Sequence, residues 1–306
     1  MPRDARNIGA SVRARLLQRS RAEKADYQIL LTRYALERLL YRLSLSAHRD
    51  RFILKGALLF VTWVDDTFRP TRDMDLLGYG DSNPEALART FKDICSTAVP
   101  DDGVQFDSQH LTVFPIREEL EYGGVRVQTH AMIDGARIPI QVDIGFGDII
   151  TPGPVEIDYP VLLDFPSPHI RAYPVGTVVA EKFNAMVTLG IANSRLKDYY
   201  DLWFISRIFE FDRDSLFAAV QRTFERRNTP LPTGTPTGLT DQYAEQWNTR
   251  WSAYLKREHM HAAPHQLHLL IADLREFLVP LTTKSDAASH SHWKPGGPWM
   301  PVSVRT

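Results

Sequence analysis

The stretch Phe68-Arg69-Pro70-Thr71-Arg72-Asp73-Met74-Asp75-Leu76 places two carboxylates two residues apart. Met74, Leu76 and Leu77 supply the apolar side of a short strand. Alternate strand residues share a face, so Asp73 and Asp75 project together. Adjacent carboxylates repel unless a cation lies between them. Hard divalent ions such as Mg²⁺ are bound this way, commonly with substrate phosphates completing the shell. Upstream, Lys55-Gly56-Ala57-Leu58 offers a glycine at which backbone N–H groups can approach a phosphate. Together the two features predict a metal-dependent enzyme acting on a nucleotide.

At 306 residues and 43% hydrophobic, the chain can bury a large core, and its length favours two domains. The lone Cys95 excludes a disulfide framework or a Cys-rich metal site and fits a reducing cytoplasm. No apolar run reaches the roughly 18 residues of a membrane span. Arg3, Arg6, Arg13 and Arg15 precede no apolar stretch of the kind a secretion signal needs. A cytoplasmic protein without a membrane partner is expected. The net charge of −1 hides a basic N-terminus, where Asp4 and Glu23 face seven Arg or Lys in residues 1–24. That suits a polyanionic partner or simply a solvated helix.

Outward from the acidic strand, periodicity predicts helices over 8–22 and 26–46, with Leu30, Tyr34, Leu36, Leu40 and Leu43 on an apolar stripe. A helix over 57–64 starts at the glycine, and another over 84–98 is opened by Ser82-Asn83-Pro84. Residues 104–144 read as a meander of segments 105–109, 111–120, 125–133 and 137–144. Asp134-Gly135 is a strong hairpin signal between the last two. The prolines of 151–176 predict an irregular connector. Helices follow over 177–191, 195–210, 214–227, 240–258 and 265–280, with a mobile loop at 228–240. The expected fold is α/β (α+β) and bilobed, a mixed-sheet core followed by a helical C-terminal domain. Its parts are N-terminal helices (1–47), an α/β core (48–176), a helical domain completing the active site (177–282) and a disordered tail (283–306).

A third acid comes from Arg137-Ile138-Pro139-Ile140-Gln141-Val142-Asp143-Ile144. The isoleucines and Val142 alternate onto one face, leaving Asp143 on the other. If this strand neighbours the first, three acids converge; the third then holds a second ion or takes the proton of an attacking hydroxyl. Otherwise Asp143 lies on the solvated face of an antiparallel sheet. Further on, Lys182 shares a helix side with Val178, Val179, Met186 and Leu189. Asp198 and Asp201 lie on a helix that is apolar nearly all round. A buried carboxylate demands a cation. Lys182–Asp201 and Arg195–Asp198 pairs that dock the helices would satisfy it, and so would a site in which Lys182 meets triphosphate charge while Asp201 positions it.

The series Lys55-Gly56-Ala57-x-Leu59, Arg69-x-Thr71-x-Asp73-x-Asp75, an acidic strand at 143, Glu181-Lys182, and Arg195-x-Lys197-Asp198-x-x-Asp201-Leu202 resembles the AbiEii/AbiGii (MenT-type) nucleotidyltransferase toxins, of the DNA-polymerase-β-like nucleotidyltransferase superfamily. The resemblance spans roughly residues 30–230. It implies a nucleotidyltransferase core in which Asp73, Asp75 and Asp143 are metal ligands and, with Lys182 and Asp201, catalytic. Lys55, Gly56, Ala57, Arg69, Thr71 and Asp198 would contact the nucleotide. Ala57 departs from the family, which has Gly or Ser there. The implied cofactor is Mg²⁺, with Mn²⁺ as a substitute. The implied substrates are an NTP and an RNA acceptor, the tRNA 3′ end above all, whose extension blocks translation. The implied partner is a cognate antitoxin, often a winged-helix AbiEi-type protein, and such systems can abort phage infection.

An RNA acceptor needs a basic groove. Candidates are Arg13, Arg15, Arg19 and Arg21, and Arg222, Arg226, Arg227, Arg250, Lys256 and Arg257 interleaved with Trp247, Trp251 and Tyr254. His259, His261, His265 and His268 lack an acidic or Cys partner and read as structural. Two other readings stay open: a different D-x-D enzyme, such as a nucleotide-sugar glycosyltransferase, and a catalytically silent binding module with a nucleotidyltransferase-like shell.

Overall fold

Asp134-Gly135 makes the turn the sequence predicts, with φ of 45° and 78°. Two successive positive φ values match the right-handed twist of the strands they join. The computed structural model describes residues 7–64, 71–116, 123–258, 260, 262–282 and 291–301. The chain divides into two units, Met1–Asp148 with Pro154–Tyr173, and Ile149–Gly153 with Pro174–Thr306.

Unit 1 carries α1 (Ile8–Glu23), α2 (Tyr27–Leu45), β1 (Phe52–Lys55), the single turn α3 (Phe60–Trp63), β2 (Met74–Gly78), α4 (Pro84–Cys95), β3 (Gln105–Phe106), β4 (Thr112–Ile116), β5 (Gly124–Ile133), β6 (Ala136–Phe146), β7 (Val155–Asp158) and β8 (His169–Ala172). The strands form one mixed sheet in the order β3-β5-β6-β2-β1-β8-β7, with β4 also paired to β5. β2 runs parallel to β6 and antiparallel to β1. Ile138, Ile140, Val142 and Ile144 are all buried, so the alternation sends the apolar side of β6 to the core and Asp143 to the other face. α4 starts where expected, because Asn83 accepts from the N–H groups of Glu85 and Ala86 ahead of Pro84.

The N-terminal helices are not a separate part. α2 packs on β6 and β8 and holds two loops by buried charge. Arg42 forks onto Asp102 at 2.8 and 3.1 Å, and Glu37 accepts from the Leu162 N–H at 2.7 Å. The proline-rich connector is also more regular than expected. Its prolines at 152, 154, 160, 166, 168 and 174 all fall outside β7 and β8. They bound the strands without breaking the ladder, in which Ile157 lies opposite Ile170. The expected strand over 105–109 is cut short because the Asp107 carboxylate accepts from the N–H groups of Gln109 and His110 and turns the chain.

Unit 2 carries α5 (Val175–Leu189), α6 (Leu196–Ile208), β9 (Phe211–Asp212), α7 (Arg213–Arg226), α8 (Asp241–Arg257), α9 (Leu267–Leu278), β10 (Ser291–Trp293) and β11 (Trp299–Pro301). The stretch Val175–Ala192 has the length and apolarity of a membrane span, contrary to the expectation that no run reaches it. Half of it is buried inside the protein, it carries Glu181 and Lys182, and it packs on α7 as a core helix. The loop before α8 is anchored rather than loose, since Leu239 is fully buried and the Tyr199 hydroxyl donates to the Gly238 carbonyl at 2.9 Å. Part of the expected disordered tail is ordered. β10 pairs with β9 and β11, Trp293 is 2% exposed, and its indole N–H donates to the Ser206 carbonyl at 2.8 Å. Two tryptophans in a segment otherwise rich in small and polar residues supply the apolar surface that holds it.

Candidate active site

Unit 1 brings the acidic strands side by side. Asp75 of β2 lies opposite Lys55 of β1 and, on its other flank, opposite Asp143 of β6. Asp143 in turn lies opposite Arg126 of β5. One row across four strands therefore reads Lys55, Asp75, Asp143, Arg126, with a cation at each end. Like charges directly opposite destabilise a sheet, and the terminal cations offset that repulsion.

The contacts are specific. The Arg126 Nε and Nη2 each donate to an oxygen of Asp143 at 2.7 Å, in a pair that is 31% and 19% exposed. This fork raises the Arg126 pKa, mainly through the hydrogen bond to Asp143; the charges of Asp143, Asp73 and Asp75 add to it, against the effect of burial. Three carboxylates thus lie within electrostatic reach of one guanidinium. At the other end, Lys55 Nζ donates to Asp148 at 3.0 Å and lies 5.7 Å from the centre of the Tyr173 ring. The Thr71 hydroxyl donates to the Asp73 carboxylate at 2.8 Å and so orients it. Gly56, at φ +73°, is packed on Asp75, since a Cβ there would meet Asp75 Oδ2 at 2.0 Å. This glycine serves the carboxylate directly, a closer need than the approach of a phosphate. Ala57 is buried. Arg69 lies outside the described residues.

The strands of Asp75 and Asp143 are neighbours, as convergence of the acids requires. Among the described residues, no three His, Cys, Asp or Glu side chains stand together as a group that could hold a metal ion. Both oxygens of Asp143 already accept from Arg126. The donor set that fits a divalent ion is Asp73 with Asp75, two half-buried carboxylates flanking the buried Met74. Mg²⁺ is commonly held by one or two carboxylates, with waters and phosphates completing the shell.

Unit 2 joins the remaining candidates. Lys182 Nζ lies 2.6 Å from Asp198 Oδ1 and 2.9 Å from Asp201 Oδ2. Arg195 Nε lies 2.6 Å from the other oxygen of Asp198. Both acids are fully buried, while Lys182 is 13% exposed. Burial alone would push the Asp198 pKa up, but Lys182 and Arg195 outweigh it and hold the group down at about 2. Both pairs weighed from the sequence are therefore present; the Lys182 contacts tie α5 to α6, and Arg195–Asp198 lies at the first turn of α6. Beside them, Arg227 reaches Glu181 at 3.5 Å.

Matching to known families gives the same reading. The pattern described as "Nucleotidyl transferase AbiEii toxin, Type IV TA system" matches residues 38–277. The chain belongs to the AbiEii nucleotidyltransferase toxin family. As an AbiEii toxin it is part of a type IV toxin–antitoxin system, and an antitoxin partner follows from that membership. No curated protein matches it. Among solved structures, JHP933 from Helicobacter pylori is 14% identical with a TM-score of 0.50, covering 83% of this chain and 95% of its own. A candidate nucleotidyltransferase from H. pylori is also 14% identical with a TM-score of 0.50, covering 85% and 100%. At that identity the likeness shows the fold, an α/β unit with a mixed sheet and a helical C-terminal region.

Two residues of this AbiEii site escaped the sequence reading, Arg126 in the row and Asp148 beside Lys55. Arg126 was within reach. In an antiparallel hairpin turning at 134 and 135, facing positions sum to the same total, which sets 126 against 143. Nothing comparable marks Asp148, which follows β6. The aromatic side of the expected RNA groove is not available, because Trp247, Trp251 and Tyr254 are buried. Several of the arginines are also engaged: Arg13 with Asp134, Arg19 with Glu23 and Arg257 with Glu258. His259 and His261 lie outside the described residues, and α9 begins only at Leu267, after His265.

Proposed function

We propose that this AbiEii toxin is a Mg²⁺-dependent nucleotidyltransferase, with Mn²⁺ as a substitute, that adds nucleotides from an NTP to an RNA acceptor, namely the tRNA 3′ end. Such addition blocks translation in the cytoplasm. The observation that carries the reading is the Lys55–Asp75–Asp143–Arg126 row with Asp73 beside it. Asp73 and Asp75 would hold the ion, whose chemistry is to neutralise the triphosphate and the charge developing at the α-phosphate. Thr71 fixes the Asp73 carboxylate and Gly56 makes room for that of Asp75. Lys55 adds positive charge on the β1 side and Arg126 on the β5 side. The acceptor hydroxyl oxygen gives up its proton to solvent and bonds to the α-phosphorus, the bond from the α-phosphorus to the bridging β-phosphate oxygen breaks, and pyrophosphate leaves with the electron pair. Lys182, set by Asp198 and Asp201 within unit 2, is the further residue assigned here to nucleotide charge. The antitoxin is proposed to be a winged-helix AbiEi-type protein, and the pair to act in abortive infection.

The test is label transfer. Purified protein is incubated with Mg²⁺, total tRNA and each α-³²P-labelled NTP in turn. The expected result is label in tRNA with the wild type and none with Asp75→Asn. Transfer only to another RNA would keep the chemistry and replace the acceptor. Turnover of a nucleotide-sugar instead would favour the glycosyltransferase reading, and nucleotide binding without any transfer the silent module.

A further inference from the structure

The acid that a two-ion site would need for its second ion is already neutralised by a side chain. Arg126 and Asp143 face each other directly across the β5–β6 ladder, where the Cβ atoms of opposed residues are closest. The register therefore keeps the guanidinium within reach of this carboxylate. It uses the planar fork, two parallel donors on two oxygens at 2.7 Å, which is the strongest form of this contact. Paired ions in two-metal sites stand about 3.5–4 Å apart, bridged by shared carboxylates. To join such a pair, Asp143 would have to release at least one Arg126 hydrogen bond, and the incoming ion would then face a guanidinium at close range.

We infer that Arg126 takes the place of a second metal ion at Asp143, so that the centre binds one divalent cation, on Asp73 and Asp75. This rests on the nucleotidyl-transfer reading and specifies its ion count. Arg126 is then the fixed cation at the β5 end of the row, and Asp143 is the residue that positions it rather than a metal ligand. An arginine differs from an ion here in one testable respect. Its charge remains when divalent ions are removed, so the row keeps its cation at the β5 end in the metal-free protein.

The test counts ions directly. Mn²⁺ is titrated into the full chain and the bound fraction read by electron paramagnetic resonance, alone and with one equivalent of a non-hydrolysable nucleoside triphosphate. Expected are one bound Mn²⁺ per wild-type chain, loss of binding by at least tenfold in Asp75→Asn, and still one Mn²⁺ per chain, bound more weakly beside the released guanidinium, in Asp143→Asn. Arg126→Gln should admit a second Mn²⁺ at the freed carboxylate. Arg126→Lys, which keeps the charge, should still bind one, so the inference does not depend on a single variant folding. Two ions on the wild type, or no second ion in Arg126→Gln, overturns it. Label transfer assayed in parallel separates the two claims. Two ions with transfer sinks only the ion count, whereas no ion and no transfer sinks the nucleotidyl-transfer reading as well.

Discussion

The two units each hold a quartet of two cations and two carboxylates, in opposite settings. In unit 1, Lys55, Asp75, Asp143 and Arg126 lie along a sheet row, and the Arg126–Asp143 pair at its end is 31% and 19% exposed. In unit 2, Lys182, Arg195, Asp198 and Asp201 form a knot between α5 and α6 in which both acids are fully buried. A buried pair is costly to break but adds little over well-packed apolar residues. A half-exposed row loses less on breaking and can exchange partners with a ligand. The same charges therefore read as chemistry in the sheet and as architecture, at least, between the helices.

The sharpest break of the comparison is Asp75→Asn. It should lower nucleotidyl transfer by about 10³-fold or more, since a metal-holding carboxylate acts on the transition state. Its urea midpoint should stay close to wild type, and a large drop in stability would make the row structural after all. Lys182→Met should lower stability as well as transfer. It removes the cation that two buried carboxylates share, Asp198 keeping Arg195, and should cost about 3–5 kcal/mol of stability, measured by urea unfolding; a change under 1 kcal/mol would mean the knot does not hold unit 2. Acid is a gentler probe of the same knot. The Asp198 pKa is lower in the folded chain than in the unfolded one, so its contribution is full above about pH 4 and is lost as pH falls through about 2. The loss should be about 2 kcal/mol, and Asp198→Asn should remove that part of the acid transition. The smallest effect belongs to Thr71→Val. Losing one hydrogen bond to Asp73 should reduce transfer by roughly tenfold, about 1 kcal/mol, with stability unchanged. A loss as large as that of Asp75→Asn would give the hydroxyl itself a role.

What the sequence makes legible follows from how local the cause is. Helix periodicity, the Asn83 cap and the Asp134-Gly135 turn are local, and each produces the element expected of it. The Asp73/Asp75 pair is legible because both acids come from one strand, and Asp143 because its strand alternates cleanly. The partner of Asp143 is less so, since Arg126 acquires meaning only once the register is fixed. The aromatics of α8 show a limit of composition, because Trp247 and Trp251 beside arginines look like a stacking surface yet fill the core. Ser, Gly and Pro in the C-terminal segment likewise mask two tryptophans that pack against α6 and α9 through Ser206 and Phe277. Such contacts join residues far apart in the chain, and no window of sequence contains them.

Gly56 makes the active carboxylate dependent on an atom that is missing. A methyl group at that position would meet Asp75 Oδ2 at 2.0 Å with the backbone at φ +73°, so Gly56→Ala evicts the acid without altering it. A relative that keeps every acid and base of the row, but carries any side chain at this position, would look competent on paper and be inert. For anyone sorting active from decayed members by sequence, this hydrogen is as diagnostic as the aspartates.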